Sequence, residues 1–127
     1  DYLQSRNPSA KFCWVAGFSF GAWIGMQLLM RRPEITGFIS VSPTANMHDF
    51  SFLAPCPASG LIINGSADRV VPQADVIELS DKLKLQKGIT ITHQTVEGGS
   101  HFFDPGMDEM IGSVDTYVRR RMTETTR

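Results

Sequence analysis

The chain has 127 residues, 42% apolar and 20% charged, the balance of one small globular domain and not of a disordered or fibrous segment. Twelve basic side chains oppose thirteen acidic ones for a net charge of -1, and no Lys/Arg stripe stands out beyond Arg119-Arg120-Arg121, which argues against an electrostatically driven nucleic-acid binder. The longest apolar stretch, Ala22 to Met30, is interrupted by Gly25 and Gln27 and falls short of the roughly 20 residues that span a bilayer, so no membrane partner is expected.

In chain order, Asp1-Tyr2-Leu3-Gln4 has neither the basic start nor the apolar run of a secretory signal. Lys11 to Ala16 is a short β-prone run bounded by Gly17, which suits a buried strand. Helix formers then run from Phe20 to Arg32, with Pro33 as the stop. Gly37 to Val41 predicts a second strand ending at Ser42-Pro43, and Thr44 to Ser59 a loop with at most a helical turn. Gly60 to Ile63 predicts a third strand leading into Asn64-Gly65-Ser66-Ala67-Asp68. Val76, Ile77, Leu79, Leu83 and Leu85 recur at helical spacing until Gly88. Ile89 to Val96 predicts a fourth strand, broken by Gly98-Gly99, and Met107 to Met122 a last helix; Thr123 to Arg127 is expected to fray. Strands alternating with helices imply an α/β chain, a parallel sheet with helices on its faces, whose ligands bind beyond the carboxyl ends of the strands.

Chemistry-bearing residues fall at those ends. Gly17-Phe18-Ser19-Phe20-Gly21 is a G-x-S-x-G pattern between a predicted strand and a predicted helix. A sharp turn there would hold Ser19 in a strained conformation with its hydroxyl exposed, small neighbours allowing close backbone approach. The Phe20 amide, at the helix start, would face a developing oxyanion. The same letters also fit a glycine-rich turn whose serine merely caps a helix. A serine hydroxyl needs an imidazole to take its proton, and the imidazole a carboxylate to fix its tautomer. Asp68 follows the third strand and His101 the fourth, giving the order Ser19, Asp68, His101.

The G-F-S-F-G-A-W, L-I-I-N-G-S-A-D-R-V-V-P and G-G-S-H-F-F segments together resemble the carboxyl-terminal half of α/β-hydrolases, nearest to small bacterial hydrolases related to the dienelactone hydrolase and serine aminopeptidase-like groups. The resemblance implies Ser19 as nucleophile, Asp68 as triad acid, His101 as general base and the Phe20 amide as an oxyanion donor, with no cofactor and no metal. It implies an acyl-serine mechanism on a small ester or acyl substrate, with a peptidase of the serine aminopeptidase or prolyl-oligopeptidase-like type, or a non-catalytic binding fragment, as alternatives. Dienelactone hydrolases proper carry a cysteine at the elbow, so their substrate is not carried over. The short connection from Thr44 to Ser59 leaves no room for a lid.

The family's amino-terminal strands, with the loop that gives a second oxyanion amide, have no counterpart in these residues. Residues 1–127 are therefore expected to be a single partial domain, with Asp1 to Ser5 as the tail of a preceding helix. Phe12 to Ala16 would then be an exposed apolar edge, open to self-association or to the absent half.

Other conspicuous residues have plainer readings. Asp104, three residues from His101, is the serious rival to Asp68, whereas Asp75, Asp81 and Asp108 fall in or at the start of helices. His93 reads as a surface strand residue and His48 as a loop residue that could line a pocket. Cys13 and Cys56 lack metal or disulfide spacing, so Cys13 reads as a small buried hydrophobe, Cys56 as an unreactive loop residue, and the compartment as reducing and cytoplasmic.

Overall fold

Strands covered on both faces carry apolar residues in runs and not in alternation, and the two central strands obey this. β4, Gly60–Gly65, is buried at every position, and β3, Gly37–Val41, at its first four. The computed structural model describes residues 2–4, 13–53, 56, 58–86, 88–103 and 106–126. It places β3 and β4 in a five-stranded sheet of order β1-β2-β3-β4-β5, where β1 is Tyr2–Gln4, β2 Cys13–Phe18 and β5 Ile91–Val96. β2 to β5 pair in parallel, each with the next in sequence.

Helices cover both faces, as the alternation of strands and helices predicts. α1 is Phe20–Arg31, α2 Gln73–Lys84 and α3 Met107–Thr126. Successive strand residues point to opposite faces. Val15, Phe38 and Ile62 thus join Met26 and Leu29 of α1 and Val76, Leu79 and Leu83 of α2 in one core, while Trp14, Ile39, Leu61 and Ile63 meet Tyr117 of α3 and the loop residue Phe103 in the other. Leu61, Ile62 and Ile63 are wholly buried; burial on this scale contributes about 1.5–3 kcal/mol per side chain. Between β3 and β4 the described residues hold a single 3₁₀ turn, Ser51–Leu53, and no lid.

Two expectations are corrected. Tyr2–Gln4 is an extended strand and not a helix tail, and it pairs antiparallel with β2 through Tyr2↔Val15, Leu3↔Trp14 and Gln4↔Cys13. The β2 edge is therefore not open along Cys13 to Val15. An unpaired strand is a template for any available extended segment, and here the chain's own amino-terminal residues supply one. At the other end, α3 is helical to Thr126, and the Thr123 hydroxyl donates to the Arg119 carbonyl at 2.9 Å. Strand limits also shift. β2 extends through Gly17 and Phe18 because both pair with β3, at Ser40 and Val41, whereas Lys11, Phe12 and the Cys13 side chain lie outside the described residues.

Candidate active site

Ser19 sits at the junction of β2 and α1 with φ 58° and ψ -120°. A side-chain-bearing residue pays of order 1–3 kcal/mol to stay in such a region. Two features hold it there. Its N–H donates to the Val41 carbonyl at 2.8 Å, at the end of the neighbouring strand. A Cβ on Gly17 would lie 2.3 Å from the Gly21 carbonyl oxygen, so the turn closes only with glycine at that position. Ser19 makes no side-chain cap to α1. Its hydroxyl instead lies 2.9 Å from His101 Nε2, which removes the capping-serine reading.

Asp68 and His101 come from loops laced to each other. Ser66 N–H donates to the Val96 carbonyl at 3.0 Å, Ala67 N–H to the Gly99 carbonyl at 2.9 Å, and Gly98 N–H to Ser66 Oγ at 2.7 Å. Gly65 and Gly99 touch so closely that a Cβ on Gly65 would sit 2.1 Å from the Gly99 oxygen. Asp68 Oδ1 accepts from the amides of Val70 and Val71, both at 2.8 Å, and Oδ2 lies 2.8 Å from His101 Nδ1. An ionised carboxylate can only accept, so Nδ1 carries the proton and the neutral ring presents Nε2 as an acceptor to the Ser19 hydroxyl. Ser19, Asp68 and His101 therefore form one chain of hydrogen bonds. Asp104, the rival acid, lies outside the described residues. Phe20 opens α1, where helix geometry leaves its N–H without an intrahelical acceptor.

Aromatic rings surround the base. Phe18 and Phe102 stand 5.3 and 5.0 Å from the His101 ring, centroid to centroid, and 5.6 Å from each other; both are exposed. His48 stacks on Trp23 at 4.7 Å beside Phe20 and bonds Thr44 Oγ1 through Nδ1 at 2.7 Å. It also lines a cavity of about 530 Å³ between its own loop and α2. His93 is half-buried and not a free surface residue: its Nε2–H donates to Asn64 Oδ1 at 2.6 Å, and burial pulls its pKa below the ordinary value. Cys56 is buried, which pushes its thiol pKa up and keeps it protonated. Sequence reasoning missed Ser42, whose buried hydroxyl donates to the His101 carbonyl at 3.1 Å, and the two valine amides. A serine before a proline signals a strand end and nothing more, and main-chain donors have no residue signature.

No family model matches the chain. It is 44% identical over 122 residues to an uncharacterized protein of Rickettsia prowazekii, covering 93% of this chain and 51% of that protein. A solved structure from Agrobacterium tumefaciens, of a protein of unknown function named as a candidate α/β hydrolase, superposes with a TM-score of 0.90 at 62% identity over 95% of this chain and 56% of its own length. The chain adopts a partial α/β-hydrolase fold. A serine α/β hydrolase without lid from Xanthomonas campestris resembles it with a TM-score of 0.70 at 31% identity, over 84% of this chain and 46% of that one. The chain spans about half the length of the relatives it matches. Within this α/β-hydrolase fold, Ser19, Asp68 and His101 all lie beyond the carboxyl ends of parallel strands, the side on which such sheets bind ligands. Among the described residues no helix is long and apolar enough to cross a membrane.

Proposed function

We propose that the chain carries a serine hydrolase site that cleaves an ester or related acyl bond through an acyl-serine intermediate, in the manner of a carboxylesterase. The observation that carries this reading is the unbroken relay from the Ser19 hydroxyl through the His101 ring to the Asp68 carboxylate, mounted on a strained elbow. Ser19 Oγ attacks the acyl carbonyl while His101 Nε2 takes its proton, and Asp68 stabilises the imidazolium that forms. The Phe20 amide, helped by the positive end of α1, steadies the oxyanion. His101 then returns the proton to the leaving alcohol, and a water repeats the sequence to release the acid. The exposed rings of Phe18, Phe20 and Phe102 favour a small substrate with an apolar acyl or alcohol group.

Because the chain spans about half of its relatives, full turnover is proposed to need further polypeptide supplying a second oxyanion donor. Loss of one such donor costs about 10²–10³ in rate. The deciding experiment is labelling with a fluorophosphonate, followed by mass spectrometry. A phosphonyl adduct on Ser19, abolished by Ser19→Ala, is the expected result. An unlabelled Ser19 in folded protein sinks the reading, and turnover of an aminoacyl anilide in preference to p-nitrophenyl acetate would redirect it to a peptidase.

A further inference from the structure

We propose that Ser42 is a positioning residue for the base of this site, its hydroxyl holding the His101 main chain at the place from which the imidazole reaches Ser19. The proposal rests on the serine hydrolase reading above. Ser42 follows the last residue of β3 with φ 50°, a left-handed conformation that a residue with a side chain seldom adopts, and it is completely buried. Such a conformation persists where the surroundings over-determine it. Here they do. Ser42 N–H donates to the Ile63 carbonyl at 2.7 Å, and Ser42 Oγ–H to the His101 carbonyl at 3.1 Å; a carbonyl only accepts, so the hydroxyl is the donor. One residue earlier, the Val41 carbonyl receives the Ser19 N–H. The end of a single central strand thus grips the nucleophile's main chain through Val41 and the base's main chain through Ser42.

This matters because the two ring bonds hold the His101 side chain, whereas the Ser42 bond holds its main chain. The Ser42 bond spans 59 residues of sequence and ties the His101 loop directly to β3, a strand it does not adjoin in the chain. Without the hydroxyl, the loop can settle by a fraction of an ångström, and proton transfer between Ser19 and His101 tolerates little misplacement. The rings of Phe18 and Phe20 belong to β2 and α1 and not to the His101 loop, so substrate binding is expected to change less than proton transfer.

The test compares Ser42→Ala, Ser42→Gly and Ser42→Cys in the full chain. The readouts are p-nitrophenyl acetate kinetics, the rate of fluorophosphonate labelling and thermal unfolding. Glycine removes the cost of the positive φ while also deleting the hydroxyl, so it stays informative where alanine fails to fold. Alanine and glycine are both expected to lower kcat and the labelling rate by about 10- to 100-fold, with KM within about twofold. Cysteine, a weaker donor of similar shape, recovers part of the loss. Wild-type kcat and labelling in the glycine variant would assign Ser42 to backbone conformation alone and overturn the proposal. A wild-type chain that, joined to the further polypeptide proposed above, neither labels nor turns over would instead end the serine hydrolase reading, and with it any base for Ser42 to position.

Discussion

Asp68 and His101 lie 33 residues apart in sequence, yet their side chains meet at 2.8 Å with 0% and 5% of their surfaces exposed. A carboxylate so deeply buried is tolerable only when its lone pairs are occupied. The Val70 and Val71 amides occupy one oxygen and the His101 ring the other, which also fixes where the ring can turn.

Asp68→Asn should therefore keep the loop but lose the relay. The new amide can donate to Nδ1, forcing the other tautomer, and Nε2 then no longer accepts the serine proton. A fall in kcat of about 10⁴ is expected. Asp68→Ala should lower the melting temperature further, because it also strips the partner from the two valine amides. Steady-state ester hydrolysis and thermal unfolding of both variants check this; near wild-type turnover in Asp68→Asn would remove Asp68 from the mechanism.

Gly65→Ala tests the contact between the two loops. A Cβ 2.1 Å from a backbone oxygen cannot be absorbed by a rotamer change, so one loop must move. Destabilisation of about 1–3 kcal/mol is expected, together with loss of Ser19 labelling in the molecules that remain folded. Urea unfolding combined with labelling separates the two effects, and an unperturbed variant would show that the loops are not rigidly coupled.

His93 predicts a pH-dependent part of the stability. Burial, with Lys84 adding to it and Asp81 opposing, holds its folded pKa below the unfolded value of about 6.5. The unfolded chain thus takes up a proton before the folded one does. The contribution is complete above about pH 6.5 and is lost as the pH falls below it. His93→Gln should flatten the slope of unfolding free energy between about pH 7.5 and about pH 5.5; parallel slopes for variant and wild type would count against the assignment.

Arg121 anchors α3 at the end of the sheet opposite to the triad. Its guanidinium donates to the Ser59 and Thr36 carbonyls at 3.1 Å each and lies over the Trp14 ring at 4.8 Å. Lysine cannot reproduce that fork, so Arg121→Lys should cost about 1–2 kcal/mol. Turnover per folded molecule should not change, and a drop in kcat at full folding would reveal a coupling across the sheet.

Much of this arrangement was legible in the letters. β3 and α1 came from runs and periodicities that survive in the fold almost residue for residue. Gly17 stands two residues before Ser19 because a Cβ there would strike the Gly21 carbonyl oxygen, so this part of the motif and its geometry are one fact. His93 was misread because alternation says that a strand has two faces, not what lies against each of them. Asn64, on the adjacent strand, bonds His93 and makes its face a partly buried one.

What the sequence determined by itself is what depends on side-chain identity at short range: the alternation of strands and helices, the elbow, and the place of Ser19, Asp68 and His101 just after strand ends. Tertiary structure alone decided the pairing of Tyr2–Gln4 with β2, the grip of Ser42 on His101 and the seating of Asp68 on two valine amides. Those contacts are made through main-chain N–H and carbonyl groups, which almost every residue carries alike. They leave no mark in the sequence until the fold brings the strand ends together.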